Sequence, residues 1–285
     1  MSKLKIAIQK SGRLSEKSLA LLKECGIKLP NDDRKLKTEA RNFPVEVLFL
    51  RDDDIPQYVE QGVADLGILG ENEVKEKDKQ VTVIQKLGFA SCKLSLAVPN
   101  RENYTGLSWF EGKKVATSYP RILRNYFDEK NISAEIEEIG GSVEIAPGIG
   151  LAQGIFDIVS TGSTLLMNGL KEVEIVMQSE AVLISNQSLP AEKQVILEKL
   201  LFRIRAVLNA AENDYILLNA PNEAIAAISA LLPALKSPTI LPLAQEGWSS
   251  IQSVVKEDDF WNIVAGLKEL GARDILVLPI EKMVI

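Results

Sequence analysis

The chain has 285 residues, 46% of them hydrophobic and 25% charged, with a formal net charge of −6. That length holds two domains or three small ones, and the acidic balance excludes a protein whose main task is coating nucleic acid, though not one that binds a small anion at a local positive site. Histidine is absent, so His-dependent triads and histidine zinc sites are excluded, and the two cysteines, Cys25 and Cys92, are far apart and form no CxxC pair, so a disulfide framework is not indicated.

In chain order, residues 4–8 (LKIAI) predict a strand. Residues 14–26 predict a helix, with Leu14, Leu19, Leu22 and Cys25 at helical spacing and Gly26 as its stop. Strands are expected at 45–50 and 65–70, with a short helix at 54–62 between them. Two more strands follow at 93–99 and 113–119. A helix over 120–130 has Pro120 in its first turn. A strand at 134–139, a helical segment at 142–154 and a strand at 156–160 complete the alternation. The order predicts an α/β protein with parallel sheets covered by helices on both faces. Residues 190–211 form the longest helical pattern. After it come strand 214–220, helix 221–235, strands 238–244 and 248–255, helix 258–271 and strand 273–279. This β-α-β-β-α-β series is the ferredoxin-like order, and it places a boundary near 212–213. No run approaches the ~18 apolar residues of a membrane span. The first ten residues lack a long apolar segment, so a cytoplasmic location with reduced thiols is expected.

The stretch most suggestive of chemistry is DIVSTGSTLLMNGL, 157–170. Asp157 lies in a strand, and Ser160, Thr161, Gly162, Ser163 and Thr164 follow at the strand's C-terminal end. Ligands of open α/β sheets bind at that end. Small hydroxyl donors, a glycine and the start of a helix suit a phosphate, and a carboxylate just before them suits the hydroxyls of a ribose. The same residues also fit a plain capped helix, with Thr161 or Ser163 as the cap.

Other strand ends share the pattern. Lys10, Gly12 and Arg13 follow the first strand. Gly70, Glu71 and Asn72 follow the third. Thr117, Ser118, Tyr119 and Arg121 surround the start of the 120–130 helix. Gly140 and Gly141 precede Glu144. Each has a structural alternative: a solvated helix end, a half-buried aromatic, or an acid complementing a helix dipole. The run Arg51-Asp52-Asp53-Asp54 offers three carboxylates to a cation, but consecutive residues point in different directions, and acids at a helix start are stabilised by its dipole. Together these turns predict a cleft between two α/β lobes.

Taken together, IAIQKSGRLSEKS, RDDDIP, DLGILGEN, CKLSLAVP, ATSYP, GSVEIAPGIGLA, DIVSTGSTLLMNGL, SPTILPL and ILVLPIEKM run in order along the chain and resemble the long form of the ATP phosphoribosyltransferases. The resemblance implies a two-lobed core like the periplasmic binding proteins, with residues 1–92 and 183–212 as one lobe and 93–182 as the other. Residues 213–285 would then be a ferredoxin-like regulatory domain that binds L-histidine as feedback inhibitor. It implies ATP and phosphoribosyl pyrophosphate as substrates, Mg²⁺ held largely through the substrate, and a homo-oligomer, dimer to hexamer, with no separate regulatory subunit. It makes Asp157 and Glu144 the catalytic pair and wraps Ser160, Thr161, Gly162, Ser163 and Thr164 around the ribose 5-phosphate. Lys10, Gly12, Arg13, Asn72, Tyr119 and Glu144 would face ATP and pyrophosphate, and Ser237 and Thr239 would contact histidine.

Overall fold

The computed structural model describes residues 2–30, 36–160, 162–232 and 237–285. They form two compact units, residues 1–23 with 27–197, and residues 24–26 with 198–285.

Unit 1 is built on two sheets. The first contains β1 (Leu4–Gln9), β2 (Lys37–Glu39), β3 (Val45–Leu50), β4 (Leu66–Gly70) and β5 (Val81–Lys86). Between them run α1 (Arg13–Glu24), α2 (Ile55–Glu60) and α3 (Glu71–Lys77). The second sheet contains β6 (Cys92–Pro99), β7 (Lys114–Thr117), β8 (Glu135–Glu138), β9 (Gly154–Val159) and β10 (Leu170–Ser179), with α4 (Pro120–Lys130) and α5 (Ser163–Met167). The chain then returns to the first sheet as β11 (Ala181–Asn186). The strand orders are β2-β3-β1-β4-β11-β5 and β10-β6-β9-β7-β8.

The sheets are mixed, where the sequence predicts parallel ones. Only β1, β3 and β4 in the first, and β7, β8 and β9 in the second, run parallel. β11 opposes both β4 and β5, and β6 opposes both β9 and β10. β11 and β6 are strands by which the chain passes between the sheets, and β2 opposes β3 at the edge of the first sheet. β4 is buried on both faces and is closely packed at Gly67. A Cβ there would lie 2.5 Å from the Ile55 side chain.

α4 has the predicted bounds. Pro120 opens it, Ile122, Leu123 and Phe127 bury one face, and Asn131 in the left-handed region (φ 55°) ends it. The predicted helical segment at 142–154 is instead one 3₁₀ turn, Val143–Ile145, followed by turns. Its apolar spacing is helical, but Pro147, Gly148 and Gly150 interrupt any continuous hydrogen-bond ladder.

Unit 2 contains most of α6 (Ala191–Ala211), then β12 (Asn213–Pro221), α7 (Ile225–Leu231), β13 (Thr239–Pro242), β14 (Trp248–Lys256), α8 (Glu257–Glu269) and β15 (Arg273–Pro279). The sheet order β13-β14-β12-β15, antiparallel throughout, is the ferredoxin-like arrangement. Ile216, Leu218, Ile228, Ile251 and Leu267 centre its core. The predicted helix at 221–235 is observed as a 3₁₀ turn and α7, and its residues 233–235 lie outside the described residues. Among the described residues no helix is long and apolar enough to cross a membrane.

Candidate functional site

The C-terminal ends of the parallel strands of each sheet gather the polar turns. Gln9 pairs with Leu50, and Ile8 with Ile68. This register brings together the turns after β1, β3 and β4. The Lys10 amide donates to the Leu50 carbonyl at 2.8 Å, and Gln9 Nε2 lies 3.4 Å from Asp52 Oδ2. Lys10 and Arg13 are exposed, and Gly12 takes φ +93°. Asp52, Asp53 and Asp54 form a 3₁₀ turn that leads into α2. Among the described residues no group of three or more carboxylate or thiol side chains is placed to hold a metal ion. The acidic run thus leads into a helix.

In the second sheet, Asp157 pairs with Ser95 across β6 and β9. Its sheet face is the one buried around Ala97, Ile155 and Val159, under Val143, Ala146 and Leu165. Val143 and Ala146 anchor the 3₁₀ turn, and between them Glu144 comes within electrostatic reach of Asp157. Burial raises the Asp157 carboxyl to about 6, the Ile158 amide that donates to it at 2.7 Å opposes the rise, and Glu144 adds to it. The neighbouring Ser95 hydroxyl donates to Glu172 at 2.6 Å, and Lys93 meets the same carboxylate at 2.6 Å.

The turn after Asp157 is open to solvent at Ser160, Ser163 and Thr164, and Thr161 lies outside the described residues. Gly162 occupies the cap position of α5 with φ 75°. A left-handed cap is glycine's place. α5 has five residues, so its dipole is small, and an anion here would rely on backbone N–H groups and hydroxyls. A cavity of about 330 Å³ opens beside Ser160, with Lys86, Lys93 and Ser179 among its walls.

Tyr119 is half-buried at the head of α4. Its amide donates to Thr117 Oγ1 at 2.8 Å, and Ser118 donates to the Ile139 carbonyl at 2.7 Å. Glu73, Asp157 and Asp52 all act on the Tyr119 hydroxyl electrostatically. Tyr119 thus lies among acids from both sheets, and burial, with these charges, raises its pKa well above the ordinary tyrosine value. Asn72 is buried, and its carboxamide is bonded to Ser179 at 2.8 Å and to Glu73 at 3.2 Å. Arg121 is paired with Asp78 at 2.6 Å. In unit 2, Ser237 and Thr239 are exposed at the start of the edge strand β13.

Sequence reasoning overlooked Glu73. Burial, reinforced by Asp52, raises its carboxyl to about 7. The available signal was its position three residues beyond the end of a buried strand, in the same polar turn as Asn72.

Residues 51–206 match the family described as ATP phosphoribosyltransferase, and residues 210–282 match its C-terminal domain. An ATP phosphoribosyltransferase of Bacteroides thetaiotaomicron is 58% identical over 99% of this chain and 100% of that protein. The solved ATP phosphoribosyl transferase (HisG:HisZ) complex of Thermotoga maritima superposes with a TM-score of 0.63 at 27% identity, covering 72% of this chain and 98% of that one. A putative periplasmic sulfonate-binding protein of Methylobacillus flagellatus shares the two-lobed fold alone, with a TM-score of 0.50 at 14% identity over 74% of this chain and 70% of that one. Matched along nearly its whole length, with Asp157 and the turn after it inside the matched region, the chain belongs to the ATP phosphoribosyltransferase family and is an enzyme that transfers phosphoribosyl groups.

Proposed function

We propose that this enzyme joins phosphoribosyl pyrophosphate to N1 of ATP, giving N1-(5-phosphoribosyl)-ATP and pyrophosphate, as the first step of L-histidine biosynthesis. The observation that carries the reading is Asp157 flanked by Glu144 and followed by an exposed turn of small hydroxylic residues. The turn, Ser160 through Thr164, receives the 5-phosphate. Asp157 accepts hydrogen bonds from the ribose hydroxyls. Lys10 and Arg13, beside Gly12, face the polyphosphates, and Tyr119 presents its ring to the ligand.

No protein nucleophile is needed. The lone pair of adenine N1 forms the new bond to the anomeric carbon while the bond to pyrophosphate breaks, and the leaving group departs with the electron pair. Mg²⁺ enters largely through the phosphoribosyl pyrophosphate substrate. The chain's own task is to hold two polyanions in line, an entropic service. The negative charge of Asp157 and Glu144 favours positive character as it develops on the ribose ring. A chain without histidine can run this chemistry, because N1 of adenine is already a free base.

Residues 213–285 bind L-histidine and reduce turnover, with Ser237 and Thr239 as contacts. Because the chain carries this domain, it works without a separate regulatory subunit, and it acts as a homo-oligomer, dimer to hexamer, in the cytoplasm. The test is a spectrophotometric assay with ATP, phosphoribosyl pyrophosphate and Mg²⁺, with and without millimolar L-histidine. Formation of the N1 adduct, suppressed by histidine, is expected. No adduct from folded protein with pyrophosphate removed would overturn the reaction, and adduct insensitive to histidine would overturn the regulation alone.

A further inference from the structure

Helix α4 begins without a cap of its own. Pro120 has no N–H, Tyr119 at the cap position makes no side-chain cap bond, and the Leu123 amide donates to the Tyr119 carbonyl. That leaves the amides of Arg121 and Ile122 to be satisfied from elsewhere. Both donate to Glu76, at 2.9 Å to Oε1 and 3.0 Å to Oε2. Glu76 lies 45 residues before Arg121, on α3. α3 leaves the first sheet of unit 1, whereas α4 leaves the second.

A carboxylate that takes two N–H groups at the positive end of a helix makes charge-assisted bonds in a fixed geometry. Beside it, Arg121 meets Asp78 at 2.6 Å. Both side chains of that pair are largely exposed, so solvent screens it, and Glu76 is the stronger tie. Asp78 ends α3 in the left-handed region (φ 49°), a position that suits glycine, and an aspartate there keeps a carboxylate for Arg121. The other end of α3 is tied to the second sheet as well. The Asn72 amide donates to Ser179 Oγ at 3.1 Å, and that hydroxyl donates to the Asn72 carboxamide oxygen at 2.8 Å. Both residues are buried.

The clasp sits beside the site. β7, which leads into α4, runs parallel to β9, with Thr117 opposite Phe156 and so next to Asp157. β4, which leads into α3, runs parallel to β1, which Lys10, Gly12 and Arg13 follow. We infer that Glu76 is a positioning residue for phosphoribosyl transfer: it caps α4 from the other sheet and so fixes Lys10 and Arg13 relative to Asp157 and the 160–164 turn. This rests on the function proposed above, in which groups from both sheets hold the reactants in line.

The test uses the full chain and three variants, Glu76→Ala, Glu76→Gln and Asp78→Ala, with hydrogen exchange read at the start of α4 beside steady-state kinetics. In the parent without substrate the Arg121 and Ile122 amides are expected to be protected, and in Glu76→Ala to exchange about 10-fold faster or more. The kcat of Glu76→Ala should fall about 10-fold or more while the KM for phosphoribosyl pyrophosphate moves less than about threefold, because that substrate keeps its contacts on the second sheet and only alignment is lost. Glu76→Gln has one acceptor oxygen for two donors, so its kcat should lie between those of Glu76→Ala and the parent. Asp78→Ala removes only the screened pair and should keep kcat within about twofold.

Fast exchange of the two amides in the parent would overturn the clasp. Faster exchange in Glu76→Ala with parental kcat would make Glu76 a structural cap only and overturn the positioning role. An equal loss of kcat in Asp78→Ala would overturn the assignment to Glu76. If Glu76→Ala does not fold, Glu76→Gln decides: parental kcat overturns the role, and a fall of about threefold or more at little-changed KM upholds it. An inactive parent would overturn the proposed reaction and this role with it, whereas an active parent with an indifferent Glu76→Ala overturns this role alone.

Discussion

Burial and the nearby Glu144 hold the Asp157 carboxyl at about 6, above the 3.8 of an ordinary aspartate. A folded-state value raised in this way means that the fold prefers the protonated form. The associated stability is complete below pH 4 and is lost as pH rises through about 6, by at most about 3 kcal/mol. Asp157→Asn is neutral at every pH. It is therefore expected to melt about 2–6 °C higher than the parent at pH 8 and no higher at pH 4. Its turnover should fall on the order of 100-fold or more, because an amide cannot offer the ribose hydroxyls a charged acceptor. Thermal melts at the two pH values and a steady-state assay check this. A variant that melts lower at pH 8, or keeps parental turnover, would refute the assignment. The same ionisation should appear as an acid limb in kcat/KM, with activity rising through about pH 6 as the carboxylate forms. Asp157 was legible in the sequence because its partners are local: the turn follows it directly. Glu73 was not, because its burial and the influence of Asp52 arise only when α3 packs beside the turn after β3.

At the level of elements, local rules performed well where one element contained its own signals. α4 carries a proline at its start, an apolar face and an asparagine stop, and its predicted bounds are the observed ones. β10 carries Lys171, Glu172 and Glu174, so its sequence does not read as a strand, yet those side chains meet Lys93, Ser95, Tyr104 and the Glu102 carbonyl. Cross-strand partners made the strand, and no local pattern contains them. The turn at α5 offers a direct test of backbone conformation. At Gly162 a Cβ meets no atom within 4 Å, so Gly162→Ala is penalised by φ 75° alone, about 1 kcal/mol. Its melt should shift by only a few degrees, while the KM for phosphoribosyl pyrophosphate rises several-fold as the turn relaxes. Gly67→Ala differs in kind. Its new methyl would overlap Ile55, and overpacking of about 1–3 kcal/mol should lower the melting temperature without a selective effect on that KM. An unchanged KM in Gly162→Ala would remove the turn from the binding surface.

For the whole molecule, the proposed regulation predicts that a chain ending at residue 211 transfers phosphoribosyl groups but no longer responds to histidine. Inhibition of that shortened protein at parental histidine concentrations would refute the placement of the inhibitor in residues 213–285. The shortened chain should also melt lower, because the buried Met283, whose amide donates to the Ala206 carbonyl at 2.8 Å, leaves with the C-terminal segment. The path of the chain has a further consequence. β4 lies between β1 and β11, and Ala181 pairs with Gly70. On the ribosome, β1, β3 and β4 are made first, and the strand that closes the free side of β4 emerges about a hundred residues later. At 5–20 residues per second, that edge, with Leu66, Ile68 and Leu69 on it, stands uncovered for roughly 5–20 s of each round of translation. The interval is long compared with collapse of the nascent chain. Synthesis rate and chaperone supply thus bear on the yield of this enzyme through one inserted strand.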